Sequence, residues 1–432
     1  MREKRGRQVK FSNLKEAEKA LLPFMPSVST VTGRDITLER MWPMMRVLGN
    51  PEKKLKIIHI AGTSGKTSTA YYLSSLMATT GKKIGLHVSP HVDKITERFQ
   101  INTAPISDEQ FCCELAKFLD IIHTNNLQPT YFELLVAFAY WFFDREHVDY
   151  VVMETGMGGL HDGTNVAQNP DKLCVITDIG LDHMKVLGHT IPEIAYQKAG
   201  IIHPHNRVFM YLQSPEVMRV VTDKCTSVIA ELLTTTESDE RAVDKDLLDL
   251  TLPVYQQRNW MLAYFVMRQV VKLDGLPTPL HQTIADTQHT KIPARMDIVK
   301  LKNKTLIMDG AHNEQKMAAF VSSFQALYPG RKCAVLLSLK QDKEHKGVIS
   351  QLAQIASEII TTSFKTSQEL PAVSMDADTL TADCKLAGLS NTVSIPDIHS
   401  AYLTLLRSEE DILVVTGSFY LIYQLRSLEK LT

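Results

Sequence analysis

The residues of this chain best equipped for chemistry lie in one short stretch. Gly62-Thr63-Ser64-Gly65-Lys66-Thr67 follows directly on an apolar run that includes Ile57, Ile58 and Ile60. From Ser68 to Met77 the spacing turns helical, with Tyr72, Leu73 and Leu76 able to share a face. Strand, glycine loop, Lys-Thr and helix in that order is the arrangement of a phosphate-binding loop. Glycines let the backbone turn its N–H groups toward phosphate oxygens. The helix N-terminus adds partial positive charge, and Lys66 adds a full one. Only Thr63 and Ser64 separate Gly62 from Gly65, a shorter loop than the Walker A pattern. An ordinary glycine turn ahead of a helix is the competing reading.

Other reactive side chains stand just after apolar runs. Glu154 ends VDYVVM (148–153), and Ser89 follows KIGLHV (83–88) in a Ser-Pro-His turn. His183 follows LCVIT (173–177) and Asp182, and Asp309 and His312 follow TLIM (305–308). Phosphoryl transfer from ATP needs positioning and charge neutralisation more than covalent help. Lys66 and the loop amides supply part of that. A Mg²⁺ ion held by hard oxygens would supply more, and Glu154 is its natural ligand. Taken singly these residues stay ambiguous. Glu154 could be a plain strand-end charge, Ser89 a turn, His183 a packed imidazole and Lys198 a solvated helical lysine. Asp309 and His312 could belong to a capped turn.

The elements that must carry these residues alternate between strand and helix. Ser107 is placed to cap a helix running to about His123, and Thr130 another over Phe132–Phe143 that is nearly all apolar, as a buried helix is. Residues 14–50 read as helical with an interruption from Pro26. Pro192–Ile202 reads as a helix carrying Lys198, and Val208–Leu212 as a strand. Residues 238–250 are polar and acidic and read as a loop, and Asn259–Val271 reads as a helix. Gly275–Ile292 is rich in Pro, His, Gln and Thr and reads as a linker. Beyond it, strands at 305–308, 335–339 and 412–415, the last ending in Thr416-Gly417-Ser418, repeat the alternation. The chain is expected to be α/β with doubly wound parallel sheets, whose ligand crevice lies outside the carboxyl ends of the strands. At 432 residues it exceeds a typical single core, and the expected domains are 1–290 and 291–432.

Composition narrows the class. With 47 basic and 48 acidic residues the net charge is −1, which gives no general argument for nucleic acid or anionic membrane as a partner. The basic opening MREKRGRQVK lacks a following apolar region and reads as a solvated tail. Six cysteines, none in a CxxC pair, fit a reducing compartment rather than a disulfide frame or a zinc site. A cytoplasmic monomer is expected.

Nine stretches in order resemble the folylpolyglutamate synthase/dihydrofolate synthase family of the Mur ligase superfamily. They are HIAGTSGKTST (59–69), GLHVSPHVDKITERFQIN (85–102), TYFELLVAFAYWFF (130–143), VVMETGMGGLHDGTNV (151–166), VITDIGLDHMKVLGHTIPEIAYQKAGII (175–202), YQQRN (255–259), PARMDIV (293–299), MDGAHN (308–313) and VTGSFYL (415–421). The resemblance implies a Mur-ligase-like P-loop ATPase domain with a parallel sheet and a smaller C-terminal Rossmann-like α/β domain. It also implies an ATP-dependent amide ligase, in which a carboxylate becomes an acyl phosphate and an amine displaces the phosphate.

Carried over residue by residue, Gly62, Thr63, Ser64, Gly65, Lys66 and Thr67 hold the triphosphate, and Ser89, Glu154 and His183 hold Mg²⁺. Lys198 falls on a lysine the family often carbamylates, whose anion would hold or orient a second Mg²⁺. A monovalent cation is a further expectation. Asn259, Arg295, Asp309 and His312 align with residues that reach the nucleotide from across a cleft, Asp309 toward the ribose. Ser418 and His312 would lie near the incoming glutamate. The expected small molecules are ATP, L-glutamate and a folate or dihydropteroate.

Three departures stand out, one of them a central 208–255 segment that is short for the family. The loop reads Gly-Thr-Ser-Gly-Lys-Thr where family members commonly read Gly-Thr-Asn-Gly-Lys-Gly, and Leu160 replaces an arginine. A Mur-type ligase for a non-folate carboxylate therefore remains an alternative. A nucleotide-binding regulator without ligase activity is a third reading, against which Lys66, Glu154, His183, Lys198, Asp309 and His312 all argue.

Overall fold

A computed structural model of the chain describes residues 10–25, 37–236, 238–239, 247–341, 345–366 and 372–429. The interruption expected from Pro26 and most of the acidic loop lie outside them. The chain divides into two compact units, 1–243 with 262–287, and 244–261 with 288–432.

The first unit is built on β1 (Lys56–Ala61), β2 (Ile84–His87), β3 (Phe99–Ile101), β4 (Ala104–Pro105), β5 (Tyr150–Glu154), β6 (Leu173–Ile176), β7 (Arg207–Tyr211) and β8 (Glu231–Thr235). Among the described residues these form one eight-stranded sheet in the order β4-β3-β2-β5-β1-β6-β7-β8. From β2 to β8 every neighbouring pair is parallel, while β3 and β4 add an antiparallel edge. β1 is central and buried apart from Lys56, as the unbroken apolar run requires of a strand covered on both faces. Register sets Glu154 beside Ile60 and Ile176 beside Ala61. The ends of β5 and β6 thus flank the start of the phosphate-binding loop.

Caps place the helices. The Ser107 side chain accepts from the Gln110 N–H to open the helix Asp108–Thr124. Thr130 and Glu133 form a capping box for Tyr131–Arg145. That helix is buried along nearly its whole length, and Phe138 meets Phe99, Phe111 and Phe118 edge to face at 4.8, 5.6 and 5.4 Å. Gly85 in β2 leaves room for Phe143, since a Cβ there would come 2.8 Å from the ring. A second box, Thr190 with Glu193, opens Ile191–Ala199, which carries Lys198.

The second unit holds β9 (Asp297–Lys300), β10 (Thr305–Asp309), β11 (Cys333–Leu337), β12 (Ala356–Thr361), the hairpin pair β13 (Lys365–Thr366) and β14 (Ala372–Val373), β15 (Thr392–Ser394) and β16 (Ile412–Thr416). Its main sheet has the order β15-β12-β11-β16-β10-β9, parallel except at the β9 edge. The turns after β10 and β16 leave adjacent strands, with Asp309 beside Thr416.

Three sequence expectations change. The helix expected over 259–271 runs Val254–Asp274. Pro253 can start it, and Gly275, at φ +61°, stops it. Its residues through Met261 fall in the second unit and the rest in the first. The region read as a linker contains a helix at His281–Asp286 and a 3₁₀ turn at Thr287–His289. The helix expected to reach Ile202 ends at Ala199. No helix among the described residues is long and apolar enough to cross a membrane. The cysteines are free, and five of the six are buried.

Candidate active site

The loop after β1 is shaped by two glycines. Gly65, left-handed at φ +87°, precedes the helix Lys66–Ala78. A Cβ on Gly62 would lie 1.8 Å from Thr177 Oγ1, so the loop can approach the end of β6 only without a side chain. Thr63 and Ser64 donate their N–H groups to the Asp178 carbonyl at 2.8 and 3.1 Å. The Thr63 hydroxyl donates to Gly180 O at 3.0 Å and accepts from Gly180 N at 3.1 Å. Those two residues therefore brace the loop against the chain after β6. The first intrahelical bond joins Thr69 N to Gly65 O at 2.9 Å, so the N–H groups of Gly65, Lys66, Thr67 and Ser68 precede the helical ladder and point out of its end.

Two ammonium groups converge on one carbonyl. Lys66 Nζ donates to Gly62 O at 3.1 Å, and Lys198 Nζ donates to the same oxygen at 2.7 Å. Lys198 is buried. Two ties hold its helix beside the loop that follows β5. Leu160 N donates to Gln197 O at 2.8 Å, and Asn165 Nδ2 reaches both Leu160 O and Gly200 O at 3.1 Å. Two ammonium groups beside a glycine loop suit phosphate.

Glu154 is 1% exposed. Its Oε1 accepts from the Thr67 hydroxyl at 2.7 Å and its Oε2 from the Ser89 N–H at 3.2 Å. The structure thus joins the ends of β1, β2 and β5. His183 is left-handed at φ +49° ahead of the short helix Met184–Leu187, with Nε2 3.9 Å from Asp182 Oδ1. Thr67, Ser89 and Glu154 offer hard oxygens, the donor chemistry Mg²⁺ prefers. Among the described residues no three His, Cys, Asp or Glu side chains group to hold a metal. A cation here would rest on one carboxylate with hydroxyls, water and phosphate, the usual manner for Mg²⁺.

Beneath this surface, His59 Nε2 meets Thr164 Oγ1 at 2.8 Å, and the Thr164 hydroxyl in turn bonds Asp162. Burial, with Lys172 nearby, holds His59 well below its ordinary pKa and thus neutral. Burial pushes the Asp162 carboxyl upward.

In the second unit Asp309 is 4% exposed and already bonded three times. Oδ2 accepts from Tyr255 OH at 2.7 Å and from Met296 N at 2.8 Å, while Oδ1 accepts from Ala311 N at 2.8 Å. Burial still raises its pKa, against the lowering effect of the Tyr255 bond. Lys316 Nζ lies 3.2 Å from His312 Nε2, which must accept, so His312 Nδ1 carries the proton and donates to Gly310 O at 2.8 Å. The Arg295 guanidinium lies 4.2 Å over the Phe419 ring. Ser418 is buried and accepts from Tyr420 N at 3.2 Å. Asn259 is buried on the helix Val254–Asp274.

Within the first unit, then, Lys66, Thr67 and Lys198 gather at the loop, and Thr67 and Ser89 join through Glu154. Within the second, Arg295, Asp309 and His312 share one turn region with Ser418's neighbour Phe419. Sequence reasoning did not find Tyr255, Gln256 or Phe419, although all three lie inside or beside quoted motifs. It also assigned Thr67 to phosphate alone.

This architecture is that of a Mur ligase: the Mur ligase middle domain matches residues 60–248, and the Mur ligase glutamate ligase domain matches residues 294–419. A dihydrofolate synthase/folylpolyglutamate synthase of Bacillus subtilis is 30% identical over 412 residues, covering 90% of this chain and 94% of the relative. A dihydrofolate synthetase of Saccharomyces cerevisiae is 28% identical, covering 90% of this chain and 96% of its own. The chain belongs to the folylpolyglutamate synthase/dihydrofolate synthase family, ATP-dependent acid–amino-acid ligases. The fold agrees: a Mycobacterium tuberculosis folylpolyglutamate synthase complexed with ADP superposes with a TM-score of 0.81 at 24% identity, covering 96% of this chain and 98% of that one.

Proposed function

We propose that this chain ligates L-glutamate to a folate or dihydropteroate carboxylate, using ATP and passing through an acyl phosphate. The observation that carries the reading is the convergence of Lys66, Lys198 and the Thr67–Glu154 pair on one glycine loop. Lys66 and the amides of Gly65 to Thr67 hold the β- and γ-phosphates and draw charge away as the γ-phosphoryl leaves. Thr67, Ser89 and Glu154, with His183 as the family resemblance implies, would hold Mg²⁺, which neutralises phosphate charge when bound. Lys198 as a carbamate would exchange its cation for an anion facing the same ions. Its burial against a second ammonium on Gly62 O supports that change, because two like charges sharing a carbonyl disfavour each other. Asn259, Arg295 and Asp309 serve the nucleotide, and His312 and Ser418 the incoming glutamate.

Leu160 and the Thr-Ser-Gly-Lys-Thr loop favour testing a second reading, a non-folate acceptor for the same ligation. The test of both is ADP release in the presence of ATP, L-glutamate and each acceptor in turn, with products weighed by mass spectrometry. Glutamate-dependent release with dihydropteroate or a reduced folate is expected. ADP release with no glutamylated product from either acceptor rejects the folate assignment. Lys66→Ala and Glu154→Ala are each expected to abolish ADP formation, and near-normal turnover in either rejects the site.

A further inference from the structure

We propose that Phe419 is a positioning residue, an aromatic shelf that holds the Arg295 guanidinium ready for the phosphates of the nucleotide; this rests on the reading of Arg295 given above. The guanidinium carbon stands 4.2 Å from the centroid of the Phe419 ring, inside the range in which the face of an aromatic quadrupole attracts a cation.

The ring is itself fixed. A Cβ on Gly310 would lie 2.0 Å from Phe419 Cε1, so the Asp-Gly-Ala-His turn has its glycine where the ring passes. The His312 ring meets Phe419 edge to face at 5.9 Å and 73°. One phenyl ring therefore touches the turn after β10 twice and carries Arg295 on its face.

The backbone that presents Arg295 is fixed as well. Ala294 and Met296, on either side, are buried and left-handed at φ +53° and +51°. Non-glycine residues hold that conformation only where surrounding contacts impose it. The contacts are visible. Gly310 N donates to Ala294 O at 3.0 Å, Met296 N donates to Asp309 Oδ2 at 2.8 Å, and Gln256 Nε2 donates to Arg295 O at 3.1 Å. Tyr255 OH completes the Asp309 bonds at 2.7 Å. Asp309 thus holds the turn that carries Arg295 in place through its carboxylate. A strained, tightly bonded backbone ending in a long cationic side chain would lose its purpose if that side chain were left to sample its rotamers. The ring, together with the Arg295 Nη1–H bond to Ala294 O at 3.2 Å, restricts that freedom before the anion arrives, so less ordering is left to oppose binding.

The test replaces Phe419 with mono-, di- and trifluorinated phenylalanine, which nearly preserves ring size while draining the negative face. The dissociation constant for ATP is measured directly and kcat from ADP release. The expected result is a stepwise weakening of ATP binding, about three- to tenfold across the series, larger than any accompanying change in kcat. A role in packing alone does not follow the ring quadrupole, so a flat series overturns the proposal. Arg295→Ala run in parallel separates the two claims. If it weakens ATP binding while the fluorinated series stays flat, the shelf fails and the nucleotide role of Arg295 stands. If Arg295→Ala leaves ATP binding unchanged, the nucleotide role fails and the shelf with it.

Discussion

The Thr67 hydroxyl, 2.7 Å from Glu154 Oε1, links the glycine loop to a carboxylate that stands 87 residues later in the sequence. Its donor geometry makes it an oxygen that a cation on Glu154 would also meet. Thr67→Val removes the oxygen and keeps the shape, and is expected to raise the Mg²⁺ concentration needed for half-maximal ADP release about ten- to hundredfold. Thr67→Ser should restore it. Equal Mg²⁺ requirements in the two variants would reject the role. Tyr255 offers a second residue-scale test, because its hydroxyl is one of three donors to a buried carboxylate. Tyr255→Phe should lower unfolding stability by about 1–3 kcal/mol, read as a shift in the urea midpoint. At this scale the sequence revealed residues that chemistry demands in a fixed local order, such as Gly62 to Thr67. It concealed Tyr255 and Phe419, because each acts on a partner far along the chain.

Elements were legible where their ends carry signals. Ser107 and Thr130 cap the helices their sequences promise, and the nearly all-apolar Phe132–Phe143 segment is buried from Glu133 onward. The helix at His281–Asp286 escaped notice because it is short and polar, with Ile284 as its one buried side chain. Gln288 just beyond it accepts from Asp249 N at 2.7 Å and donates to Leu247 O at 2.8 Å, contacts no local pattern encodes. The edge strands β3, β4 and β9 were missed for a similar reason. They are two to four residues long and take their conformation from the neighbour they pair with.

One packing contact between elements can be tested directly. The turn that follows the Lys198 helix sits so close to the loop after β5 that a Cβ on Gly200 would lie 2.4 Å from Leu160 Cα. Backbone cannot step aside as a side chain can. Gly200→Ala should therefore destabilise the chain by about 1–3 kcal/mol and lower kcat by displacing Lys198. Wild-type stability and turnover in that variant would refute the contact.

For the molecule as a whole, pH exposes what is buried. His59, His87 and His91 are fully or nearly fully buried, and burial lowers the pKa of each, His87 to about 3. His87 donates through Nδ1 to Arg98 O at 2.9 Å, while its Nε2 is buried without a partner. A proton added at Nε2 would be a buried charge near the Arg98 guanidinium. The folded pKa is depressed, so the unfolded chain binds the proton first. Stability is full above about pH 6.5 and is lost as pH falls toward 3. His87→Asn, which keeps an amide donor near Nδ1, should flatten that loss by one proton, about 1.4 kcal/mol per pH unit, in urea titrations between these limits. An unchanged slope would show that His87 is not among the groups responsible.

The two compact units were foreseeable from the doubled strand–helix alternation. Their exact membership was not, because a single helix, Val254–Asp274, contributes residues to both. On the proposed function the glycine loop, Glu154 and Lys198 share one purpose, the making of an acyl phosphate. That claim is tested most directly by the fate of oxygen in the acceptor. An acceptor labelled with heavy oxygen in its reacting carboxylate is turned over with ATP and L-glutamate, and the released inorganic phosphate is analysed by mass spectrometry. The account predicts that one labelled oxygen passes into phosphate for each amide formed. Amide formation with unlabelled phosphate would contradict it.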